Sequence, residues 1–359
     1  MVSTGQSWPL LTLGLLLGLH QTSCLWILNV IFPPDSKAQN QSSITPPLII
    51  VPGNLGNRLE AKIDKPQLVH WLCYKKTEHW FPLWIDLNMF MPIGVDCWID
   101  NIRLVYNRTT RQSFNSPGVQ VRVPGFGQTY PIEFLDNNNL AGYFHTMVKH
   151  LVNIGYTRNE TVRGAPYDWR LTPSENDGIP MISNIKIREE QRMATTNPWM
   201  LPTKKAWPED HVFLSTPNFN YTRQDYQRYF NDINFEDGWY MWEDSKNLTG
   251  DLHPPGVEVW CMYGVGIPTP VTNIYDDGYP NADPIDYVYE DGDDTVDSRS
   301  MSLCKDWAVQ QEEPVHVTEY KGLPHLDIVF NEKVLNQIQK ILEGNTEIPK
   351  EVDVRSGQK

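Results

Sequence analysis

Glu290-Asp291-Gly292-Asp293-Asp294-Thr295-Val296, then Val315-His316-Val317, then the turn Gly322-Leu323-Pro324-His325, runs an acidic loop into a short strand and a histidine-bearing loop. Upstream lies Val257-Glu258-Val259-Trp260-Cys261-Met262-Tyr263, whose β-branched and aromatic residues predict a strand. Downstream, Val334, Leu335, Ile338, Ile341 and Leu342 share one face of a helix predicted over Asn331 to Leu342. Strand, acid-bearing loop, strand, His-bearing loop and helix end an α/β domain. The stretch between Tyr263 and Glu290 reads as loop-rich.

That order is the one in which α/β-hydrolases close, with the acid and then the histidine following the nucleophile. Asp293 fits the acid that orients an imidazole and stabilises its cation, and His325 fits the base. The rival readings are a calcium loop or a plain acidic turn for Asp293 and a surface-loop histidine for His325. Counted from Asp291, an EF-hand needs Gly and Glu where Val296 and Ser302 stand, so the calcium reading fails, and the order and spacing of the pair favour the catalytic one.

Nearer the amino terminus, Pro46-Pro47 introduces Leu48-Ile49-Ile50-Val51, a continuous apolar run suited to a strand buried on both faces. Pro52-Gly53-Asn54-Leu55-Gly56-Asn57 breaks it, a place where α/β enzymes set backbone donors. A helix is predicted over Leu140 to Ile154, with Gly155 as its stop, and His145 and His150 read as polar-face or satisfied core residues. Short strands are predicted at Thr161 to Ala165 and Val212 to Leu214, and the tail beyond Gly344 reads as polar and loose.

Composition limits the partners. A formal charge of −14 without any long Lys/Arg run argues against nucleic acid and anionic lipid, so lipid contact would be mainly hydrophobic. The 13 Trp and 16 Tyr suit sites where an apolar body meets a wet rim. Residues 1–24 read as a signal peptide: the apolar run Leu10 to Leu19 is too short to span a bilayer, and Thr22, Ser23 and Cys24 offer a cleavage site. Secretion is expected.

Cys73, Cys97, Cys261 and Cys304 then remain as an even set. Four thiols allow three pairings, of which sequence neighbourhood favours Cys73–Cys97 and Cys261–Cys304. A zinc site lacks both a C-x-x-C and a paired-His spacing, and no metal or other cofactor is expected. Glycosylation sequons start at Asn40, Asn107, Asn159, Asn220 and Asn247. Between Cys73 and Cys97 lie Trp80, Phe81, Trp84, Leu87 and Phe90. An excursion this apolar either packs on the main core or offers its face to something outside.

Six stretches carry a resemblance. They are Val51 to Lys62 (V-P-G-N-L-G-N-R-L-E-A-K), Asp96 to Asn101, Arg122 to Gly127, Ala165 to Arg170 (A-P-Y-D-W-R), Trp207 to Asp210 and Glu290 to Val296. On them the chain resembles the lecithin–cholesterol acyltransferase family and, more loosely, lysosomal phospholipase A, from Leu25 to about Leu342. The resemblance implies an α/β-hydrolase fold with a membrane-binding lobe, cap and lid, occupying residues 25–342 ahead of a polar tail at 343–359. It implies transfer of the sn-2 acyl chain of phosphatidylcholine to cholesterol through an acyl-serine. The setting is the high-density lipoprotein surface, with apolipoprotein A-I as activator. Asp293 and His325 match the family's acid and base, and the Leu55 N–H matches one oxyanion donor. The two favoured cysteine pairs match its disulfides, residues 73–97 its membrane-binding lobe with Trp84 at the interface, and residues 177–192 part of its lid.

One feature departs. The family carries G-x-S-x-G between the Tyr-Asp-Trp-Arg stretch and the lid, whereas here Arg170 runs through Leu-Thr-Pro-Ser-Glu-Asn176 straight into Asp177, and G-x-S-x-G occurs nowhere in 359 residues. Ser174 and Ser183 flank the junction without an elbow. The nucleophile and the oxyanion donor following it are both missing, so the chain is expected to be inactive as it stands. The alternative is a non-catalytic lipid- or lipoprotein-surface-binding protein. Loss of a central strand also predicts an incomplete sheet, marginal stability and poor secretion.

Overall fold

The computed structural model describes residues 46–86, 94–172, 194–248 and 252–354. In chain order the strands are β1 (Leu48–Ile50), β2 (Leu59–Ile63), β3 (Phe81–Trp84), β4 (Leu104–Asn107), β5 (Gln112–Asn115), β6 (Val119–Arg122) and β7 (Val162–Gly164). They continue with β8 (Val212–Ser215), β9 (Asn220–Thr222), β10 (Val259–Val265), β11 (Ile267–Ile274), β12 (Asp286–Gly292), β13 (Val315–Lys321) and β14 (Glu351–Asp353). The helices are α1 (Gly94–Ile102), α2 (Tyr130–Glu133), α3 (His145–Asn153), α4 (Thr196–Trp199), α5 (Tyr226–Asp232), α6 (Glu236–Ser245), α7 (Ser298–Met301) and α8 (Glu332–Leu342). Among the described residues no helix is long and apolar enough to cross a membrane.

Helices and strands are mixed, and the parallel pairings make the chain α/β. Among the described residues β1 pairs only with β7, in parallel with Ile49 opposite Arg163. A separate parallel sheet runs β10-β13-β14. The order β12-β11-β8-β9 forms a mixed sheet, β3-β2-β6 an antiparallel one, and β4-β5 a hairpin. One core lies under both parallel sheets. Leu48 and Ile50 of β1, Met262 of β10 and Tyr320 of β13 pack with Phe144, Met147 and Leu151 around α3 and with Val334 and Ile338 of α8. On the other face of β10, Val259, Cys261 and Tyr263 meet Met301, Cys304 and Trp307. This two-sided burial follows from the period-2 alternation of a strand whose every residue from Val259 to Gly264 is buried.

Both cysteine pairs favoured by neighbourhood are bonded: Cys73–Cys97 with Cα atoms 5.4 Å apart and Cys261–Cys304 with 6.6 Å. The second ties the strand β10 to the turn after α7.

Three expectations need correction. The helix predicted from Leu140 starts only at His145, because the Asp136 carboxylate accepts from the N–H groups of Asn138, Leu140 and Ala141 and holds them in a turn. The stretch after Tyr263 is not loop-rich. It holds β11 and β12, antiparallel to each other, with the register shift between Pro270 and Thr272 absorbing the prolines. The tail is not loose over residues 345–354: β14 pairs in parallel with β13, and Val352 and Val354 pack against the main core. His145, read as a polar-face or satisfied core residue, has a structural partner. Its Nδ1 lies 2.9 Å from Glu133, a buried carboxylate that also receives Arg158 and the Thr129 hydroxyl.

Candidate active site

Asp293 follows directly on β12, and His325 opens the helical turn His325–Val329 just after β13. Asp293 Oδ2 lies 2.8 Å from His325 Nδ1. Its Oδ1 accepts the N–H groups of Thr295 (3.1 Å) and Val296 (2.7 Å), while the His325 N–H donates to the Asp293 carbonyl at 2.8 Å. The two loops are thus stitched by backbone and side chain together. Close approach needs two glycines: a Cβ on Gly292 would strike Thr269 and the Val296 carbonyl, and one on Gly264 the Leu323 carbonyl.

A carboxylate only accepts, so Nδ1–H donates to Asp293 and the lone pair for proton uptake sits on Nε2. Burial opposes the imidazolium, but the hydrogen bond and charge of Asp293, with the charge of Asp294 behind it, outweigh burial and raise the His325 pKa. Asp294 sits in left-handed backbone at φ 78°, and burial raises its own pKa. Asp293 spends both oxygens on N–H donors, and Asp291 receives the Gly266 N–H.

The loop after β1 is the second element. Leu55 holds φ 67°, a left-handed conformation that costs a residue with a Cβ about 1–2 kcal/mol. Its surroundings over-determine it. The Trp84 indole donates to the Leu55 carbonyl at 2.9 Å, the Gly56 N–H closes a turn onto Gly53 at 3.0 Å, and Tyr143 packs so closely that Gly56 tolerates no Cβ. Burial pushes the Tyr143 hydroxyl up to about 12. Asn57, fully buried, donates to the Tyr167 carbonyl at 2.9 Å and accepts from the Tyr167 N–H at 3.1 Å. The Trp169 indole donates to the Asn57 carbonyl at 2.9 Å. With its carbonyl occupied, Leu55 presents an N–H that makes no hydrogen bond among the described residues. The sequence reading named Leu55 but missed Asn57 and Tyr143. The signal for Asn57 was a polar residue between a glycine and an apolar strand, which a surface loop shares.

The aromatic lobe is turned differently from the expectation. Trp84 is not an interface residue here: it is 2% exposed, edge-on to Trp169, in the core that includes Leu59, Trp98 and Ile102. Its indole is drawn inward by the Leu55 carbonyl. Trp80 is half-buried under the Arg122 guanidinium, 4.4 Å from the ring centre, and Phe81 is half-buried on β3. The outward apolar side chains beside the Cys73–Cys97 bridge are Val69, Trp71 (79% exposed), Leu72 and Tyr74. Asn107, Asn159, Asn220 and Asn247 are all exposed. Leu87, Phe90, Asn40, Ser174, Ser183 and residues 177–192 lie outside the described residues.

The lecithin:cholesterol acyltransferase family model matches this chain in two pieces, residues 80–178 and 174–332, which meet at the junction where the nucleophile segment is missing. The phosphatidylcholine-sterol acyltransferase of Gallus gallus is 48% identical over 408 positions, covering 92% of this chain and 98% of that one. Those of Papio anubis (48% identical; 94% of this chain, 93% of that one) and Homo sapiens (47%; 95% and 94%) are comparably similar. Since 92% of 359 residues is about 330, roughly 78 of the 408 positions aligned with the chicken protein face a gap in this chain. Asp293–His325, the braced Leu55 loop and both disulfides therefore stand in a chain that belongs to the lecithin:cholesterol acyltransferase family.

Proposed function

We propose that this chain carries the acid–base and lipid-contact parts of a secreted phosphatidylcholine–sterol acyltransferase of α/β-hydrolase fold, and that without a nucleophile it does not turn over. The Asp293–His325 pair, joined at 2.8 Å and fixed by four hydrogen bonds, is the observation that carries this reading. In the complete reaction a serine Oγ attacks the sn-2 ester carbonyl and its proton passes to His325 Nε2. The same proton then leaves with lysophosphatidylcholine. The sterol hydroxyl next attacks the acyl-serine, returning the serine and giving the ester. Asp293 stabilises the imidazolium, and the Leu55 N–H faces the oxyanion. Here the first bond cannot form.

Residues 73–97 act as the lipid-contact lobe, residues 177–192 as a partial lid, and a high-density lipoprotein with apolipoprotein A-I is the surface engaged. Exposed Trp71 and Tyr74 support lipid contact, since a chain of charge −14 must find lipid by apolar burial. The alternative function, lipoprotein-surface binding without chemistry, is what remains once the acyl-serine is excluded.

The test is acyl transfer by this chain on labelled phosphatidylcholine–cholesterol particles with apolipoprotein A-I, with His325→Ala as control. Particle binding without turnover is expected. Turnover lost with His325→Ala means an unrecognised nucleophile and refutes the inactivity.

A further inference from the structure

Among the described residues, β1 and β10 each have one edge that no strand pairs. Leu48 and Ile50 face β7: the Leu48 N–H donates to Thr161 O at 2.8 Å, and the Ala165 N–H to Ile50 O at 2.9 Å. By strand alternation the N–H and C=O of Ile49 point to the opposite edge, where no strand pairs among the described residues. On β10 the Val259 N–H donates to Pro314 O and Val265 O accepts from Gly322 N–H. Trp260, Met262 and Gly264 therefore turn their backbone groups away from β13, again toward no strand among the described residues.

These edges do not look like native edges. β10 is buried on both faces, as strands in the middle of parallel sheets are, and carries none of the charge or proline that blunts an edge. The Trp260 Nε1 is buried without a partner. Beside β1 the apolar Ile49 and Val51 are 40% and 36% exposed. Both strands rest on the same core, Leu48 and Ile50 from one side and Met262 from the other. The relatives carry roughly 78 positions that this chain lacks, and the family match breaks at 174–178, soon after β7.

We propose that the space between β1 and β10 is an open strand position that takes up a parallel, apolar β-strand in trans, from a separate polypeptide carrying the segment that relatives hold opposite the gap. The shortened chain is then a complementation partner for that segment. This deepens the proposed function and rests on its reading that the nucleophile is absent, together with the expectation that a central strand went with it. The occupant must be apolar on both faces and parallel, because β10 is buried on both faces and both β1–β7 and β10–β13 are parallel pairs. A second copy of this chain lacks that segment.

The probe is the segment of the Gallus gallus protein opposite the gap, co-expressed as a separate secreted polypeptide with the full chain. A one-to-one complex is expected, with a melting temperature that rises with segment concentration. Ile49→Pro removes the outward N–H, along with a side chain that is 40% exposed, and keeps the bonds of β1 to β7, which run through Leu48 and Ile50. It should weaken the complex about tenfold or more, as loss of one backbone bond of roughly 1.4 kcal/mol does, while the variant alone melts like the parent. Prolines in the segment's own strand, which leave this chain untouched, should do the same. Absence of a complex, a complex indifferent to both sets of prolines, or equal self-association without the segment overturns the proposal. Hydrolysis of labelled phosphatidylcholine by the complex, lost with His325→Ala, reads the catalytic assignment separately: a complex without hydrolysis keeps the docking and removes that assignment.

Discussion

Asn57→Ala isolates what holds the Leu55 loop. The Asn57 side chain is fully buried, and its amide closes a two-bond ring with the Tyr167 backbone at 2.9 and 3.1 Å, with a further bond to the Arg58 carbonyl at 3.0 Å. Alanine strips the Tyr167 N–H and C=O of these partners at once. A group deprived of its bond costs about 1–3 kcal/mol when buried; with Tyr167 half-buried, the pair is worth about 2 kcal/mol. At about 2–4 °C per kcal/mol in a larger domain, the melting temperature should fall by about 6 °C. Asn54→Ala, three residues away, is the contrast, because Asn54 Oδ1 is buried without a partner and its removal relieves an unpaired acceptor. That variant should shift stability by less than about 1 kcal/mol. Asn57→Asp adds a sharper check: it keeps one acceptor but sets a second oxygen against two carbonyls, and should cost at least as much as alanine. Calorimetry on the three purified variants reads all of this. Equal shifts for Asn57→Ala and Asn54→Ala would show that packing, not the amide ring, holds the loop.

Three other outcomes are expected. The stability difference between the parent and His325→Asn should be largest at and below about pH 6.5, the ordinary histidine value, because the folded pKa is raised. It should shrink as pH rises through that raised value, and melts in which it grows with pH would contradict the Asp293 pairing. Removing Cys73–Cys97, a sequence separation of 24, should cost about 3.5 kcal/mol, and removing Cys261–Cys304, a separation of 43, about 4 kcal/mol, read by urea unfolding. A larger loss from the first would refute the loop-entropy ranking. Trp71→Ser should weaken flotation with phosphatidylcholine vesicles by about 1.5–3 kcal/mol, 10-fold or more, while Trp84→Phe lowers the melting temperature and leaves flotation unchanged. The opposite pattern would return Trp84 to the interface.

Much of the architecture was legible because its causes are local. Leu48 to Ile50 and Val259 to Tyr263 are apolar runs that no surface loop sustains, and the α8 stripe repeats at helical spacing with Asn331 capping its first turn. Other elements had no local cause to read. β11 contains Pro268 and Pro270, which argue against a strand. It is one because β12 and β8 pair along its two sides. β14 is three residues in a polar tail, ordered by β13 beside it.

The sequence by itself determined the order of acid and base, the even set of cysteines, and the lack of G-x-S-x-G, since these depend only on which residues follow one another. Tertiary structure decided which aromatics face in. Trp84 and Trp71 are the same residue type on either side of Cys73, but one finds the Leu55 carbonyl and Trp169 while the other finds solvent. It also decided that β10, buried on both faces, has an edge that no strand pairs among the described residues. Burial and pairing belong to a residue's distant neighbours, and a strand's own residues are the same whether or not the next strand is there.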